Sequence, residues 1–171
     1  PNIKESQANK ALVDAVSDME GVAVFNLYEL SQEIAFNVDE WSKIISDASA
    51  VIYQFPFYWM SAPSLLKKWQ DEVFTFLSKT PAVAGKSLTV VTTTGSEYEA
   101  YRSGGRNRFT MDELLRPYQV SAIHSGMSWQ TPIVVYGMGT ADAGKNIAEG
   151  ANLYKQRVEM LIGSSNAGNN W

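Results

Sequence analysis

The sequence predicts an α/β fold, a doubly wound parallel sheet with helices on both faces, because helical and strand patterns alternate along the chain. Ser87–Thr93 is a continuous β-branched run, which is typical of a strand covered on both faces. Helical patterns separate the strand patterns, and right-handed crossovers then place helices on both sides of the sheet. In such folds ligands bind outside the carboxyl ends of the strands, so the segment after each strand is a candidate site.

The first 26 residues are predicted to hold one helix and then one strand. Apolar residues recur at intervals of three and four over residues 6–19, as on the buried face of a helix. Ser6 is placed to cap the start of this helix and Gly21 to end it. Residues 22–26, Val-Ala-Val-Phe-Asn, then predict a short strand.

The middle of the chain contains a second and a third predicted helix. Asn37 and Glu40 have the spacing of a capping box, although Asn replaces the usual Ser or Thr, and they open the second helix. Residues 50–54 predict the next strand. Pro63 stands where a first-turn proline belongs, and we expect the helix that it opens to reach Leu77.

After the central strand the patterns are shorter. A polar loop with several glycines is predicted over residues 95–107, followed by a short helix at 111–115. Residues 121–124 and 133–136 predict two strand pieces. Residues 146–161 predict a last amphipathic helix.

The chain is expected to form one domain, because its 171 residues suffice for one core and contain no internal repeat. Residues 1–163 are assigned to this domain. Residues 164–171 are mostly small and polar, and they predict a flexible C-terminal tail.

Composition excludes several classes of function. The absence of cysteine excludes disulfides, Cys-ligated metals and a Cys nucleophile, and it suits a reducing cytoplasm, where we expect the protein. The one histidine, His124, excludes a multi-His metal site, and its strand-like setting favours a packed or solvent-facing imidazole. No apolar run approaches the ~20 residues that span a bilayer. The net charge is −4 without a basic stripe, which argues against nucleic acid as a partner.

The segment after the strand at 50–54 is rich in aromatic residues. Phe57, Tyr58 and Trp59 follow Pro56 directly, where the chain should turn at the surface. These rings either pack in the core or form a wall for a flat ring system, since ring stacking adds to the gain from burial. A loop at the end of a strand is a poor place to bury several rings, and this favours the wall.

Two further segments have features of a ligand site. The turn before the first helix offers backbone N–H groups, the Ser6 hydroxyl and the positive end of a helix dipole, which suit a phosphate, although an ordinary N-cap has the same features. Thr93-Thr94-Gly95-Ser96 ends the central strand, and Gly95 lets the backbone approach a ligand, although such a turn is often only a turn. Taken with the aromatic segment, they point to one ligand at one edge of the sheet.

Four motifs resemble those of a known family. In chain order they are Ser6-x-Ala8-Asn9, then Pro56-Phe57-Tyr58-Trp59 continuing to Pro63-x-Leu65-Leu66-Lys67-x-Trp69-x-Asp71-x-Val73-Phe74, then Thr93-Thr94-Gly95, and last Gly126-Met-Ser-Trp129. Together they resemble the flavodoxin-like NAD(P)H:quinone oxidoreductases, which include short bacterial members and ancillary oxidoreductase subunits of potassium-efflux systems. The similarity covers nearly the whole chain, and the stretch from Pro56 to Phe74 is long and specific.

The resemblance implies that the chain binds FMN, because FAD is used by the longer relatives, and it assigns residues to each part of the cofactor. Those expected at the phosphate and ribityl end are Ser6, Ala8 and Asn9. Those expected around the isoalloxazine ring are Pro56, Phe57, Tyr58 and Trp59. Those expected along its pyrimidine edge are Thr93, Thr94, Gly95 and Ser96. Relatives often carry a second glycine at the position of Ser96.

The activity that the resemblance implies is hydride transfer from NAD(P)H to the flavin and then to a quinone or similar acceptor, in two half-reactions at one site. Tyr98 or Tyr101 would correspond to the substrate-side tyrosine of relatives, and the sequence does not choose between them. A homodimer is also implied. Two alternatives stay open: a flavin-binding regulatory subunit of a potassium-efflux transporter, and a small electron carrier, which the modest charge and the motif from Trp59 to Phe74 disfavour.

The start of the chain departs from the family pattern. Members begin with an apolar strand that ends in His-Pro and lies in the middle of the sheet, whereas this chain starts at a proline, Pro1. We therefore expect the first, central strand to be missing from this chain. A parallel sheet without that strand would expose unpaired edges.

Overall fold

The computed structural model describes residues 6–30 and 35–164 in full and the backbone of residues 165–167. Its helices are α1 Gln7–Asp14, α2 Leu27–Leu30, α3 Val38–Asp47, α4 Ser64–Trp69, α5 Thr75–Leu77, α6 Met111–Leu114, α7 Arg116–His124 and α8 Ala143–Ala167. Its strands are β1 Ala50–Pro56, β2 Ser87–Thr93, β3 Ser128–Trp129 and β4 Ile133–Val135. A π-helical turn, Gln70–Phe74, joins α4 to α5, and a 3-10 turn, Tyr98–Tyr101, follows β2.

The four strands form one parallel sheet around β2. β1 pairs with β2 along its whole length, from Ala50 opposite Ser87 to Pro56 opposite Thr93. β3 and β4 both pair with the other edge of β2, β3 near its start and β4 near its end, so they form one strand interrupted at residues 130–132. The prediction of a parallel α/β sheet is confirmed.

Helices cover both faces of this sheet, as predicted. Val90 and Val91 are neighbours in β2, yet each is fully buried in a different core, because successive strand residues face opposite sides. One core is rich in aromatic rings and contains Trp41 of α3 and Trp69 of α4. The other core is smaller and mostly aliphatic, and it lies between the sheet, α1 and α8.

The strand predicted over residues 22–26 is wrong, because these residues form no strand. A strand exists through hydrogen bonds to a neighbouring strand, and within the described ranges β1 pairs only with β2. The ring of Phe25 contacts the ring of Trp41 at 5.4 Å between centroids, so the segment is held by side-chain packing. The first helix is also shorter than predicted, since α1 ends at Asp14.

The strand predicted over residues 121–124 is also wrong, because these residues belong to α7. Tyr118 and Ala122 lie one helical turn apart and are both buried, and Pro117 stands in the first turn, where proline is tolerated. A short apolar run cannot distinguish helix from strand by itself. His124 therefore lies in the last turn of a helix, and its side chain faces solvent, which was one of the two expectations for it.

The last helix is longer than predicted at both ends. It begins at Ala143 and continues to Ala167, so residues 164–167 of the expected tail are helical. Residues 168–171 of that tail lie outside the described residues.

Candidate functional site

Three loops and the start of α1 meet at the carboxyl edge of the sheet. The loops are the aromatic loop (residues 57–63, after β1), the glycine loop (residues 94–97, after β2) and the support loop (residues 136–140, after β4). The Phe57 N–H donates to the Thr93 carbonyl, and the Thr94 N–H donates to the Val135 carbonyl, both at 2.9 Å. The Asn9 Nδ2 of α1 donates to the Thr93 Oγ1 at 3.1 Å. The structure thus brings together the three segments that the sequence indicated.

The aromatic loop turns tightly at Trp59 and Met60. Tyr58 and Ser61 on either side exchange two backbone hydrogen bonds of 2.9 Å, and the two central residues have φ angles of +47° and +62°. Such angles cost roughly 1–2 kcal/mol for each residue that is not glycine. Trp59 is 98% exposed, so its ring gains almost no packing energy within the described protein. A bare indole on a strained turn suits a flat ligand that stacks on it.

The other members of the predicted ring-binding set have different surroundings. Phe57 is buried, and its ring meets the ring of Tyr101 at 6.1 Å between centroids, so only its backbone can face a ligand. Tyr58 is 50% exposed. Pro56 ends β1 and is half-buried. Of the four residues, Tyr58 and Trp59 are the two whose rings are accessible.

The start of α1 presents an unpaired acceptor. The Ser6 Oγ caps the helix by accepting from the Asn9 N–H at 3.2 Å, and Ala8 beside it is buried. The Asn9 carbonyl accepts from the Gln54 Nε2 at 2.9 Å, which ties the helix to β1. The Asn9 Oδ1 is buried without a hydrogen-bond partner among the described residues. Because an unpaired buried polar atom is costly, this oxygen suits a hydroxyl group of a ligand.

The glycine loop has bonded carbonyls and free N–H groups. The carbonyls of Thr94, Gly95 and Ser96 each accept from a backbone N–H of the support loop, at 2.9, 2.9 and 2.8 Å. The N–H groups of Gly95, Ser96 and Glu97 donate to no described residue. Consecutive free N–H groups form a site for an acceptor atom or an anion. No atom lies within 4 Å of the Cβ position of Gly95, so the loop has open space in front of it.

The support loop was not indicated by the sequence analysis. Gly137 has a φ of +77°, which favours glycine, and a side chain on Gly139 would lie 3.1 Å from the Gly95 carbonyl oxygen. The Asn146 Nδ2 of α8 donates to the Tyr136 carbonyl at 2.9 Å and holds the start of the loop. The signal that could have found this loop is Gly-Met-Gly directly after a strand.

Tyr98 and Tyr101, which the sequence left equivalent, differ in the structure. Tyr98 is 52% exposed, whereas Tyr101 is 6% exposed. Both rings contact the ring of Tyr136, with centroid distances of 5.4 and 5.8 Å. Burial, and then the charge of Asp112, raises the pKa of Tyr136 to about 12. The three tyrosines line part of an open cavity of about 700 Å³, whose lining includes no residue of the aromatic loop, the glycine loop or α1.

Arg106 brings a positive charge to the glycine loop. Its Nη2 donates to the Ser96 Oγ at 2.6 Å. Ser96 is half-buried and Arg106 is exposed. The sequence analysis missed this pair because ten residues separate its members.

Other kinds of site are not found in the described part of the chain. No group of three or more His, Asp or Glu side chains there could hold a metal ion. None of the described helices is long and apolar enough to span a membrane. Asp71 forms an exposed ion pair with Lys67 one helical turn away.

A family model and several curated proteins are similar to this chain. A family model described as flavodoxin-like fold matches residues 1–158. General stress protein 14 of Bacillus subtilis (strain 168) is 35% identical over 94% of this chain and 93% of its own. The uncharacterized NAD(P)H oxidoreductase YdeQ of the same organism is 35% identical over 94% of this chain and 83% of its own. The glutathione-regulated potassium-efflux system ancillary protein KefG of Pectobacterium atrosepticum is 34% identical over 80% of this chain and 76% of its own.

Solved structures with the same fold carry several descriptions. A chain of a thermophilic tryptophan halogenase (Th-Hal) enzyme from "Streptomycin violaceusniger" has 36% identity and a TM-score of 0.86, over 92% of this chain and 94% of that one. General stress protein 14 of Treponema denticola, in complex with FMN, has 28% identity and a TM-score of 0.85, over 94% of each chain. An NADPH-quinone reductase from P. pentosaceus has 27% identity and a TM-score of 0.77, over 92% of each chain. These descriptions name different activities.

Proposed function

The chain belongs to the flavodoxin-like fold family, and from that premise we propose that it is an FMN-dependent oxidoreductase that transfers electrons from NAD(P)H to a quinone or a similar acceptor. The observation that carries the proposal is the row of free N–H groups in the glycine loop, at the same sheet edge as the bare indole of Trp59. The FMN complex of the T. denticola protein and the names of YdeQ and of the P. pentosaceus reductase support it.

The residues at this edge fit FMN part by part. The unpaired Oδ1 of Asn9 needs a donor, which a ribityl hydroxyl would supply. The capped start of α1 at Ser6 suits the phosphate. The free N–H groups of residues 95–97 match the oxygen and nitrogen acceptors of the pyrimidine edge, and Trp59 offers a surface for the ring system.

FMN, when bound, supplies the redox chemistry: two electrons and a proton arrive as a hydride from NAD(P)H and pass to the acceptor, which takes a further proton from solvent. The protein positions the partners and stabilises charge. The N–H groups of Gly95, Ser96 and Glu97 are fixed by the bonded carbonyls of the same loop. Preorganised donors of this kind stabilise negative charge that develops at the pyrimidine edge.

Tyr98 is the tyrosine that we propose for contact with the acceptor. Both tyrosines border the same cavity, but the ring of Tyr98 is 52% exposed, whereas the buried ring of Tyr101 packs against Phe57 and Tyr136. Loss of one hydrogen bond to the acceptor in Tyr98→Phe should lower kcat/KM for the quinone about tenfold. Tyr101→Phe keeps the packed ring, and we expect a smaller change. Equal losses in the two variants would count against this assignment.

A second candidate function is that of a flavin-binding regulatory subunit of a potassium-efflux transporter. The observation that favours it is the 34% identity to KefG. In that case the chain binds FMN and a membrane partner, and quinone reduction is secondary. The homodimer and the cytoplasmic location that we expect from the sequence stay predictions.

The proposal is tested with the full-length protein and its visible spectrum. We expect the protein to bind FMN, to lose the yellow absorbance when NAD(P)H is added without oxygen, and to recover it when a quinone follows. Trp59→Ala should weaken FMN binding. A protein that binds no added FMN would refute the proposal. A protein that binds FMN, turns over no quinone and co-purifies with a potassium-efflux transporter would favour the second candidate.

A further inference from the structure

Arg106 directs its charge at the glycine loop. The hydrogen bond of 2.6 Å from its Nη2 to the Ser96 Oγ is shorter than most N–H···O bonds, as is usual for a charged donor. No described acidic side chain forms an ion pair with Arg106. Arg102, on the same segment, instead pairs with Glu99 at 3.4 Å. Among the described residues, no carboxylate in direct contact neutralises the charge of Arg106, which therefore acts on Ser96.

Ser96 connects this charge to the ligand side of the loop. Its carbonyl accepts from the Gly137 N–H at 2.8 Å and from the Thr94 Oγ1 at 2.7 Å, which fixes its backbone. Its Oγ accepts from Arg106, so the hydroxyl proton points away from the guanidinium. A hydroxyl that accepts from a cation becomes a stronger donor. Ser96 thus presents two donors, its free N–H and its polarised O–H.

The charge of FMN changes on reduction, and these donors respond to that change. Uptake of two electrons and one proton turns the neutral flavin ring into an anion. Fixed donors and a nearby cation stabilise the anion more than the neutral ring. A site that binds one of two forms more tightly shifts the equilibrium between them by the difference in affinity. Water screens the exposed Arg106, and the neighbouring Glu97 opposes it, so the shift should be moderate.

We propose that Arg106, acting through Ser96, is a positioning residue that makes the glycine loop bind reduced FMN more tightly than oxidised FMN. This inference rests on the proposed function, because it requires FMN at the loop. It also gives a role to the serine at a position where relatives often have glycine, since glycine has no side-chain oxygen that could accept from Arg106 as the Ser96 Oγ does.

The test compares the FMN dissociation constant with the two-electron midpoint potential of the full-length protein. Arg106→Gln should lower the potential by about 30 mV, which is a tenfold loss of preference for reduced over oxidised FMN. The dissociation constant of oxidised FMN should change much less. Ser96→Gly should lower the potential in the same direction, and adding Arg106→Gln to it should have little further effect, because the two residues act as one unit.

Arg108→Gln is the matched control. It removes the same charge from a position two residues away, where the side chain is exposed and makes no hydrogen bond to Ser96 among the described contacts. We expect it to leave the midpoint potential close to that of the unchanged protein. Thermal unfolding of the apoproteins shows whether each variant folds, and substitutions at exposed loop positions should alter it little.

Several outcomes would overturn the inference. Equal shifts of the midpoint potential in Arg106→Gln and Arg108→Gln would show that the effect follows net charge alone. A full shift by Arg106→Gln in the Ser96→Gly background would show that the effect does not depend on Ser96. An unaltered potential in Arg106→Gln, with FMN bound, would overturn this inference and leave the proposed function standing. An unchanged protein that binds no FMN would overturn both.

Discussion

The glycine loop and the aromatic loop lie side by side at the sheet edge, but they are held in different ways. The carbonyls of Thr94, Gly95 and Ser96 in the glycine loop accept three backbone hydrogen bonds from the support loop, and the N–H groups of residues 95–97 donate to no described residue. The aromatic loop is bonded to the protein at its two ends, through the Phe57 and Ala62 N–H groups, but its tip is closed only by the pair of hydrogen bonds between Tyr58 and Ser61, and the tip residues Trp59 and Met60 have strained angles. The glycine loop is therefore fixed along its length by a neighbouring loop, whereas the tip of the aromatic loop is held by its own short turn.

This difference separates two contributions to ligand binding. A loop that is fixed from behind keeps its donors in place before the ligand arrives, so its interactions need no reorganisation. An exposed ring on a strained turn contributes contact area when a ligand binds. The backbone strain of the turn is already present in the free protein. Substitutions behind the glycine loop should therefore damage both stability and binding, whereas substitutions in the aromatic loop should damage binding alone.

The largest effect is expected from Gly137→Ala in the support loop. Alanine at a φ of +77° costs roughly 1–2 kcal/mol, and its Cβ would lie 3.0 Å from the Asn146 Nδ2. We expect the free energy of unfolding to fall by about 2 kcal/mol and FMN affinity to fall about tenfold or more. Denaturant unfolding and fluorescence titration with FMN measure the two quantities.

Gly163→Ala is the control for this variant. Gly163 lies in α8 with no atom within 4 Å of its Cβ position, so alanine should raise stability by up to about 1 kcal/mol. FMN binding should be unaffected. If Gly137→Ala lost stability but bound FMN normally, the support loop would not orient the donors of the glycine loop.

A smaller effect, confined to binding, is expected from Trp59→Gly. Glycine relieves the strain at φ +47° but adds freedom to the unfolded chain, so stability should stay within about 1 kcal/mol of its original value. Loss of the ring should weaken FMN binding about tenfold. Trp59→Phe keeps a ring and should retain most of the affinity. A marked loss of stability in Trp59→Gly would show that the indole packs on the protein.

The smallest effect concerns Tyr136, the first residue of the support loop. Because burial raises its pKa from 10.0 to about 12, the phenol ionises more easily in the unfolded chain. Its contribution to stability is complete below pH 10 and declines as the pH rises towards 12. Tyr136→Phe should make the free energy of unfolding less dependent on pH in this range. Tyr154→Phe is the comparison outside the loop, since burial also raises the pKa of Tyr154 to about 12.

The two predicted strands that failed did so for different physical reasons. Residues 22–26 are apolar enough for a strand, but a strand also needs a partner, which local sequence does not reveal. Residues 121–124 are too short a run for periodicity to decide, and their helical neighbours extend α7 through them. A clearer signal was available nearby, because Thr110 and Glu113 form the capping box that starts α6.

The candidate site was partly predictable from the sequence. Post-strand position and residue type were enough to predict Trp59 and Gly95 at one sheet edge, whereas Asn9 was expected there only from the family resemblance. The support loop and Arg106 were missed because both contact the glycine loop from other parts of the sequence, and a local pattern does not show which separate segments meet. Local sequence likewise does not predict the burial of Phe57 and Tyr101, since their burial depends on which side of each segment meets the core.

The sequence by itself determined the α/β class, the central strand β2 and the three segments that meet at the candidate site, because hydrophobic patterning and turn chemistry are local properties. Only the tertiary structure decided which N–H groups of the glycine loop have no described acceptor, which tyrosine is accessible and that Arg106 bonds to Ser96. Those features depend on contacts between residues far apart in the chain, and a local pattern carries no record of a distant partner.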